Sequence, residues 1–473
     1  MLDQKEYKLY TVIQSLEKKE VRQLRKMLKS PFFTRRADVR QLFEVLIKRH
    51  LKGKVFPRDA QLFKEVFPGE AWDDLKLRGT RSDLLELIEE YLMIAEFRND
   101  AIQSKLLMAD IYRRRNLAKC YTSAMKQCNQ LINIHPKRNA DYYQYLLDYQ
   151  VNQMKYQSST KRTEHLYLQE ISDTNDVLYL IQKLQMICAQ LSHQLVYKTD
   201  YHFGLLTNLL EEIGQEKYLK IPAIAVYYYC FRFLTESEQL TYFQSFKNLL
   251  NDHRHQFSKE DLEAPYRLAL NLCIRKINEG EHSFVRDSWE LSKEGLAAGI
   301  LFENSYIPRF TFNNAIAAAL LLEEFNWVAE FIEQYSIHLE PTFREQTISF
   351  NLARLSFAKE EYEQALLHLQ SAEYKDLVNN LISKMLLIKI YWELQSFEAL
   401  LAHLDSFQQF IRRREVSDYH RINFLNTIRY VRKIAAIPSY DKAERARIRR
   451  QIQEEEILTQ RNWLLERVLT ASS

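Results

Sequence analysis

The sequence predicts an all-α protein, with helical hairpins stacked as repeats and a separate helical domain at the N-terminal end. Three observations carry this. The 473 residues include only 8 Gly and 9 Pro, roughly 4% where about 12% is usual, and that scarcity favours long helices with short connections. Apolar residues recur three or four apart over much of the chain, the spacing of one helical face. One such pattern also repeats after 35 residues. Leu352, Ala353, Tyr362, Ala365, Leu369 and Ala372 are followed by Leu387, Ile388, Phe397, Leu400, Leu404 and Phe407. A hairpin with a single apolar face buries it only against a neighbour, so the repeat implies stacking.

Composition sets further bounds. Hydrophobic residues make up 46% of the chain, ample for a core, with 28 Tyr and 26 Phe to fill gaps between unevenly spaced helices. The first residues, Met1 to Glu6, are charged and no apolar segment follows, which argues against a secretory leader. The longest apolar run, Ile221 to Phe231, is interrupted by Pro222 and is too short to span a bilayer, so no membrane partner is expected. Five cysteines without paired spacing (Cys120, Cys128, Cys188, Cys230, Cys273) suggest reduced thiols and a cytoplasmic location. The net charge is +4 but uneven. Residues 1–60 carry 16 Lys/Arg and 7 Asp/Glu, a net +9, and the rest of the chain is net −5. A basic end on a slightly acidic body suits nucleic acid or an acidic protein.

Residues 1–100 read as the basic helical domain. One helix is expected near Tyr7 to Leu28, ending before Ser30-Pro31 because the residue before proline disfavours the helical conformation. A second covers Val39 to Arg49, and Lys52-Gly53-Lys54 is a turn. A third covers Asp59 to Val66, stopping at Pro68-Gly69, and a long one runs from about Ala71 to Phe97 through Glu86–Tyr91. Leu62, Phe63, Val66, Phe67 and Pro68, followed by Leu77, Arg78, Leu84 and Leu85, resemble the winged-helix domain that precedes helical repeats in some bacterial transcriptional activators. That resemblance implies DNA contacts by Lys76, Arg78 and Arg81, with Arg35 and Arg36 in the same stretch as further candidates.

Residues 101–438 read as the repeat array. Ile111, Tyr121, Ala124, Cys128 and Leu131 form a first stripe, preceded by a basic turn at Arg113-Arg114-Arg115 and closed by Pro136. Asp141 to Gln157 is a tyrosine-rich helix, and Ser158 to Arg162 reads as a loop. Residues 163–260 are helical without a readable register. Ser258 caps a helix start, with Asp261 three residues on. Leu272, Cys273, Gly280, His282, Val285 and Trp289 give another unit, and Ala315, Ala319, Phe325, Val328, Ile332 and Tyr335 the next. Pro341 is placed at the start of the helix that follows. The residue after each turn falls at 282, 325, 362 and 397, spaced by 43, 37 and 35.

The small Ala365 and the aromatics Tyr362 and Phe397, each opening a second helix after a tight turn, resemble the tetratricopeptide repeat most clearly over 310–411. Glu360 and Gln395 stand where that family usually has a turn glycine, and Ser356 where it has a tyrosine that Tyr391 restores in the next unit. The resemblance implies a right-handed solenoid that holds a partner's segment along the first helix of each unit. Arg354, Lys384, Lys389 and Tyr391 are then the candidate contacts.

Beyond Pro438, residues 439–473 read as one long charged helix capping the array, with Arg445, Arg447, Arg449 and Arg450 ahead of Glu454-Glu455-Glu456, Trp463 and Leu464. Signs of catalysis are few. No glycine cluster suits a phosphate loop or a dinucleotide turn, and His-Glu-x-x-His is missing. His253 and His255 diverge if helical and would not share an ion. No cofactor, metal or catalytic residue is therefore expected. The sequence points to a non-catalytic scaffold that binds another protein, with a nucleic-acid-binding regulator as the alternative.

Overall fold

A computed structural model describes residues 7–160, 166–197, 199–370, 377–414, 418–438 and 441–470. The described residues form 24 α-helices and no strand beyond an isolated bridge between Glu303 and Tyr306. The chain divides into two compact units, Met1–Tyr179 and Leu180–Ser473.

The first unit begins with α1 (Lys8–Ser15), α2 (Lys18–Lys29), α3 (Ala37–His50), α4 (Asp59–Val66) and α5 (Asp74–Asn99). The single helix expected over 7–28 is two. Leu16 and Glu17 are extended, and Glu20 accepts a hydrogen bond from the Glu17 backbone N–H at 2.7 Å, restarting the helix. The break lets Leu9 and Ile13 of α1 and Val21, Leu24 and Leu28 of α2 enter one core with α3, α4 and α5. α5 is continuous through Glu86–Tyr91. α6 (Ala101–Arg114), α7 (Ala118–Asn133), α8 (Ala140–Thr160) and the start of α9 (Leu168–Tyr197) complete this unit. Ser158, Ser159 and Thr160 extend α8, where a loop was expected. The hydroxyls of Ser158 and Ser159 donate to Met154 O and Tyr156 O at 2.8 Å, a local bond that lets serine stay in a helix. Lys161 and Arg162 lie outside the described residues.

The second unit holds the rest of α9, then α10 (Leu206–Ile213), α11 (Glu216–Leu219), α12 (Pro222–Thr235), α13 (Leu240–His253), α14 (Lys259–Asn278), α15 (Ser283–Ala297), α16 (Arg309–Leu321), α17 (Phe325–Tyr335), α18 (Arg344–Ala358) and α19 (Tyr362–Gln370). It ends with α20 (Leu377–Glu393), α21 (Phe397–Arg413), α22 (Asp418–Ala435), α23 (Lys442–Glu454) and α24 (Arg461–Thr470). From α12 on, the main packing of each helix is against a helix one or two places away in the chain. Ser258 caps α14 as expected, accepting from the Asp261 N–H at 3.2 Å while Asp261 accepts from the Ser258 N–H at 2.8 Å. Pro341 does not open α18. It sits in a turn closed by Phe343 N–H to Glu340 O at 3.0 Å, and the helix starts at Arg344. Ala372 lies outside the described residues.

One turn recurs in five hairpins. Asn116, Gly280, Glu323, Glu360 and Gln395 all have positive φ, at 55°, 99°, 59°, 62° and 55°. In each, the next residue's N–H returns to the carbonyl five positions back at 2.8–3.0 Å, as in Leu117 to Tyr112, Glu361 to Ser356 and Ser396 to Tyr391. This is the left-handed closure that satisfies the last carbonyls of a helix. Seven residues before each turn stands a fully buried residue (Ala109, Cys273, Ile316, Ala353, Ile388), and five after it a buried one (Tyr121, Val285, Val328, Ala365, Leu400). The 43-residue spacing arises because residues 298–308 insert a short antiparallel turn between α15 and α16, closed by Glu303 and Tyr306 at 2.7 and 2.8 Å.

The single terminal helix expected beyond Pro438 is also two. Side chains of α22 hold the break open: Asn423 Oδ1 accepts from the Thr459 N–H at 2.8 Å, and Asn426 Nδ2 donates to Ile457 O at 3.1 Å. Ile448, Ile452, Leu458, Trp463, Leu464 and Val468 then cover the core formed by α20, α21 and α22.

Candidate functional site

Arg354 lies half-buried on α18. Its Nη1 donates to the backbone O of Asn313 on α16 and to Asn351 Oδ1, both at 3.1 Å. Asn351 is fully buried and held from the other side, its Nδ2 donating to Asn313 Oδ1 at 2.7 Å and Thr347 O at 2.8 Å. The guanidinium is therefore fixed by neutral acceptors. Burial with no carboxylate alongside pulls its pKa down to about 10. Among the described residues two of its five N–H donors are used, and the other three suit an incoming anion.

α20 carries two more half-buried cations. Lys384 Nζ lies 5.2 Å from the Phe410 ring, and burial lowers its pKa. Lys389 Nζ lies 5.5 Å from the Trp463 ring, and burial brings its pKa down to about 8. Neither forms an ion pair among the described residues. Five residues place them about 140° apart around the helix, so they do not converge. Tyr391 shares the Lys384 side, about 20° away, with its ring 5.7 Å from His403 of α21. The four candidates are thus spread over α18 and α20 and form no single pocket.

In the first unit, four of the five residues nominated for nucleic acid are engaged by carboxylates. Arg81 is 5% exposed. It pairs with Asp59 at 2.5 Å, donates to the Tyr10 hydroxyl at 2.8 Å and lies over the Tyr7 ring at 4.2 Å. A buried guanidinium in that position belongs to the core and is not offered to a ligand. Arg36 pairs with Asp38 at 2.5 Å and with Asp83, and donates to the Thr80 hydroxyl at 3.1 Å. Lys76 pairs with Glu70 and Arg78 with Asp74. Arg35 is exposed.

Comparison with protein-family models, curated proteins and solved structures returns no match for this chain. Among the described residues no group of three or more His, Cys, Asp or Glu could hold a metal ion, and no helix is long and apolar enough to cross a membrane. Burial pushes the Cys128 thiol up to about 11 and Cys188 to about 12, far from a reactive thiolate.

Two polar clusters escape the sequence. The Asn313–Asn351–Arg354 network joins residues 38 positions apart, a spacing that only the packing of α16 on α18 reveals. Lys276, 1% exposed, meets Glu238 and Glu281 at 2.9 Å and Glu279 at 3.3 Å. Hydrogen bonds to Glu238 and Glu281 hold its pKa above the lysine range. Its position four residues before the Gly280 turn was a usable signal, since that place is buried or half-buried in every hairpin.

Proposed function

We propose that this protein is a non-catalytic, cytoplasmic interaction scaffold. In this reading the hairpins of the second unit stack as a right-handed solenoid and hold a carboxylate-bearing segment of another protein along their first helices. The recurring left-handed turn, the buried residue before each turn and the packing between chain neighbours support a repeat architecture. One observation carries the function: Arg354 is held in a desolvated position by neutral acceptors, with donors left over. A cation held this way contributes little to the fold and much to an anion that reaches it. Lys384 on α20, half-buried and with burial alone lowering its pKa, extends the same character to the next hairpin, and Lys389 adds a second desolvated cation there.

The test is capture of partners from native cells by the tagged full chain, with nuclease, in parallel with Arg354→Met and Lys384→Met. A discrete protein retained by the wild type and lost from both variants supports the scaffold. Equal recovery on all three proteins, or loss of every partner with nuclease, rejects it.

A further inference from the structure

The first unit contains a basic track that none of the sequence-nominated residues belongs to. A cleft of about 530 Å³ lies between α3, the turn after it and α4, lined by Lys48, Arg49, Lys52 and Lys54, with Glu44 and Glu65 on its walls. Both carboxylates are already matched inside the protein. Glu44 takes a two-pronged bond from Arg25 at 2.6 and 2.9 Å. Glu65 accepts from Arg49 at 2.6 Å and from Gln61 at 3.0 Å. Lys48, Lys52 and Lys54 are exposed and make no ion pair among the described residues. Their placement is built by the turn: Gly53, at φ 61°, lets the Lys54 N–H return to Arg49 O at 2.9 Å, which sets Lys52 and Lys54 at the rim.

Arg25 joins this cleft to α2. Lys18, Arg22, Arg25 and Lys29 fall on one face of that helix, spaced four, three and four residues apart. Lys18, Arg22 and Lys29 are exposed and also form no ion pair among the described residues. Lys18 and Lys29 stand at the two ends of α2, so the row is about 16 Å long, and Arg25 meets the Glu44 wall of the cleft partway along it.

We propose that the α2 row and the α3–α4 cleft form one track for a nucleic-acid strand, gripped through its phosphates. Charges repeated along a line call for a ligand whose own charges repeat along a line. The free cations in the cleft are lysines, which meet phosphate oxygens as point charges without a fixed orientation. The two arginines beside the cleft, Arg25 and Arg49, are engaged by Glu44 and Glu65, which leaves Arg22 as the one open fork of the track, on α2. The track is independent of the groove proposed in the second unit.

Fluorescence anisotropy of the full chain with labelled single-stranded DNA, RNA and duplex DNA, between 50 and 200 mM salt, tests this. The wild type should bind at least one of them and weaken as salt rises. Replacing Lys48, Lys52 and Lys54 together by Gln should cost at least about tenfold in affinity and flatten the log–log salt slope by roughly 2–3, from three lost phosphate contacts. Lys18→Gln with Arg22→Gln should act in the same direction. The triple Lys→Arg variant keeps the charge and should bind as the wild type does, which controls for folding. Four results overturn the proposal: no binding to any oligonucleotide at 50 mM salt, a triple Gln variant that binds normally, a loss that follows Arg36→Gln and Arg78→Gln instead, or equal displacement by polyglutamate of matched charge.

Discussion

Asn351 presents its side-chain oxygen to Arg354 at 3.1 Å while its own amide is tied to Asn313 and Thr347. The arginine is thus oriented by a neutral group that cannot neutralise it. Arg354→Met should leave unfolding stability within about 1 kcal/mol of the wild type, because it removes a desolvated charge and two bonds of modest net worth. Partner capture should fall more than about tenfold, the loss expected for one charge-assisted bond. Calorimetry and a binding titration on the same preparation separate the two effects.

Arg81 should behave in the opposite way. Its charge is matched inside the core by Asp59 and by the hydroxyl of Tyr10. Arg81→Met leaves Asp59 without its cation, and a loss of about 2–3 kcal/mol in chemical denaturation is expected. A neutral result would show that this network contributes nothing to the first unit's core.

Lys389 supplies a pH signature. In the fold its pKa is about 8, lowered by burial, whereas an unfolded lysine titrates near 10.4. Between these values the unfolded chain holds the extra proton, so stability rises with pH. The destabilising contribution is complete below pH 8 and fades above it. Relative to Lys389→Met, the wild type should gain about 1–2 kcal/mol between pH 7.5 and 9.5 in urea unfolding.

The recurring turn makes a stability prediction. Glu360 and Gln395 occupy left-handed conformations at φ 62° and 55°, which cost a residue with a Cβ roughly 1 kcal/mol. Glu360→Gly and Gln395→Gly should each raise stability by about 0.5 kcal/mol, after the added flexibility of glycine in the unfolded chain is offset. Gly280→Ala, at φ 99°, should lower it by about 1 kcal/mol or more. Thermal unfolding of the three variants checks the signs.

Gly295 tests helix packing. A Cβ there would lie 2.8 Å from Leu301 Cδ1 and 3.0 Å from the ring of Tyr266, itself fully buried. Gly295→Ala should therefore cost about 1–3 kcal/mol through overpacking. A variant as stable as the wild type would mean that Leu301 moves aside freely.

The hairpins around Ala353 and Ile388 could be read from the sequence because their apolar positions keep helical spacing on both sides of a short turn. Ala365, Leu369, Leu400, Leu404 and Phe407 are all buried where that spacing puts them. Helix breaks were harder to see. At Leu16–Glu17 and at Glu455–Gln460 no Gly or Pro marks the interruption, and the second break is held by asparagines of α22 that are distant in sequence. Glu360 and Gln395 lack the glycine that usually announces a left-handed turn, yet the chain adopts it there, because the carbonyls ending each helix still need donors.

By itself, the sequence determined that this chain is helical, where most hairpins turn and, outside residues 163–260, many of the residues that go inside, since all three follow from local periodicity and from the scarcity of Gly and Pro. It also located the excess positive charge within the first 60 residues. Only tertiary structure decided which cations are available. Arg81, nominated for a ligand, is enclosed with Asp59 from 22 residues away. Lys48, Lys52 and Lys54 remain open because Arg25 and Arg49 occupy the nearby carboxylates. Ion pairing depends on distances between residues far apart in the chain, and those distances are set by how α2, α3, α4 and α5 pack around their shared apolar core.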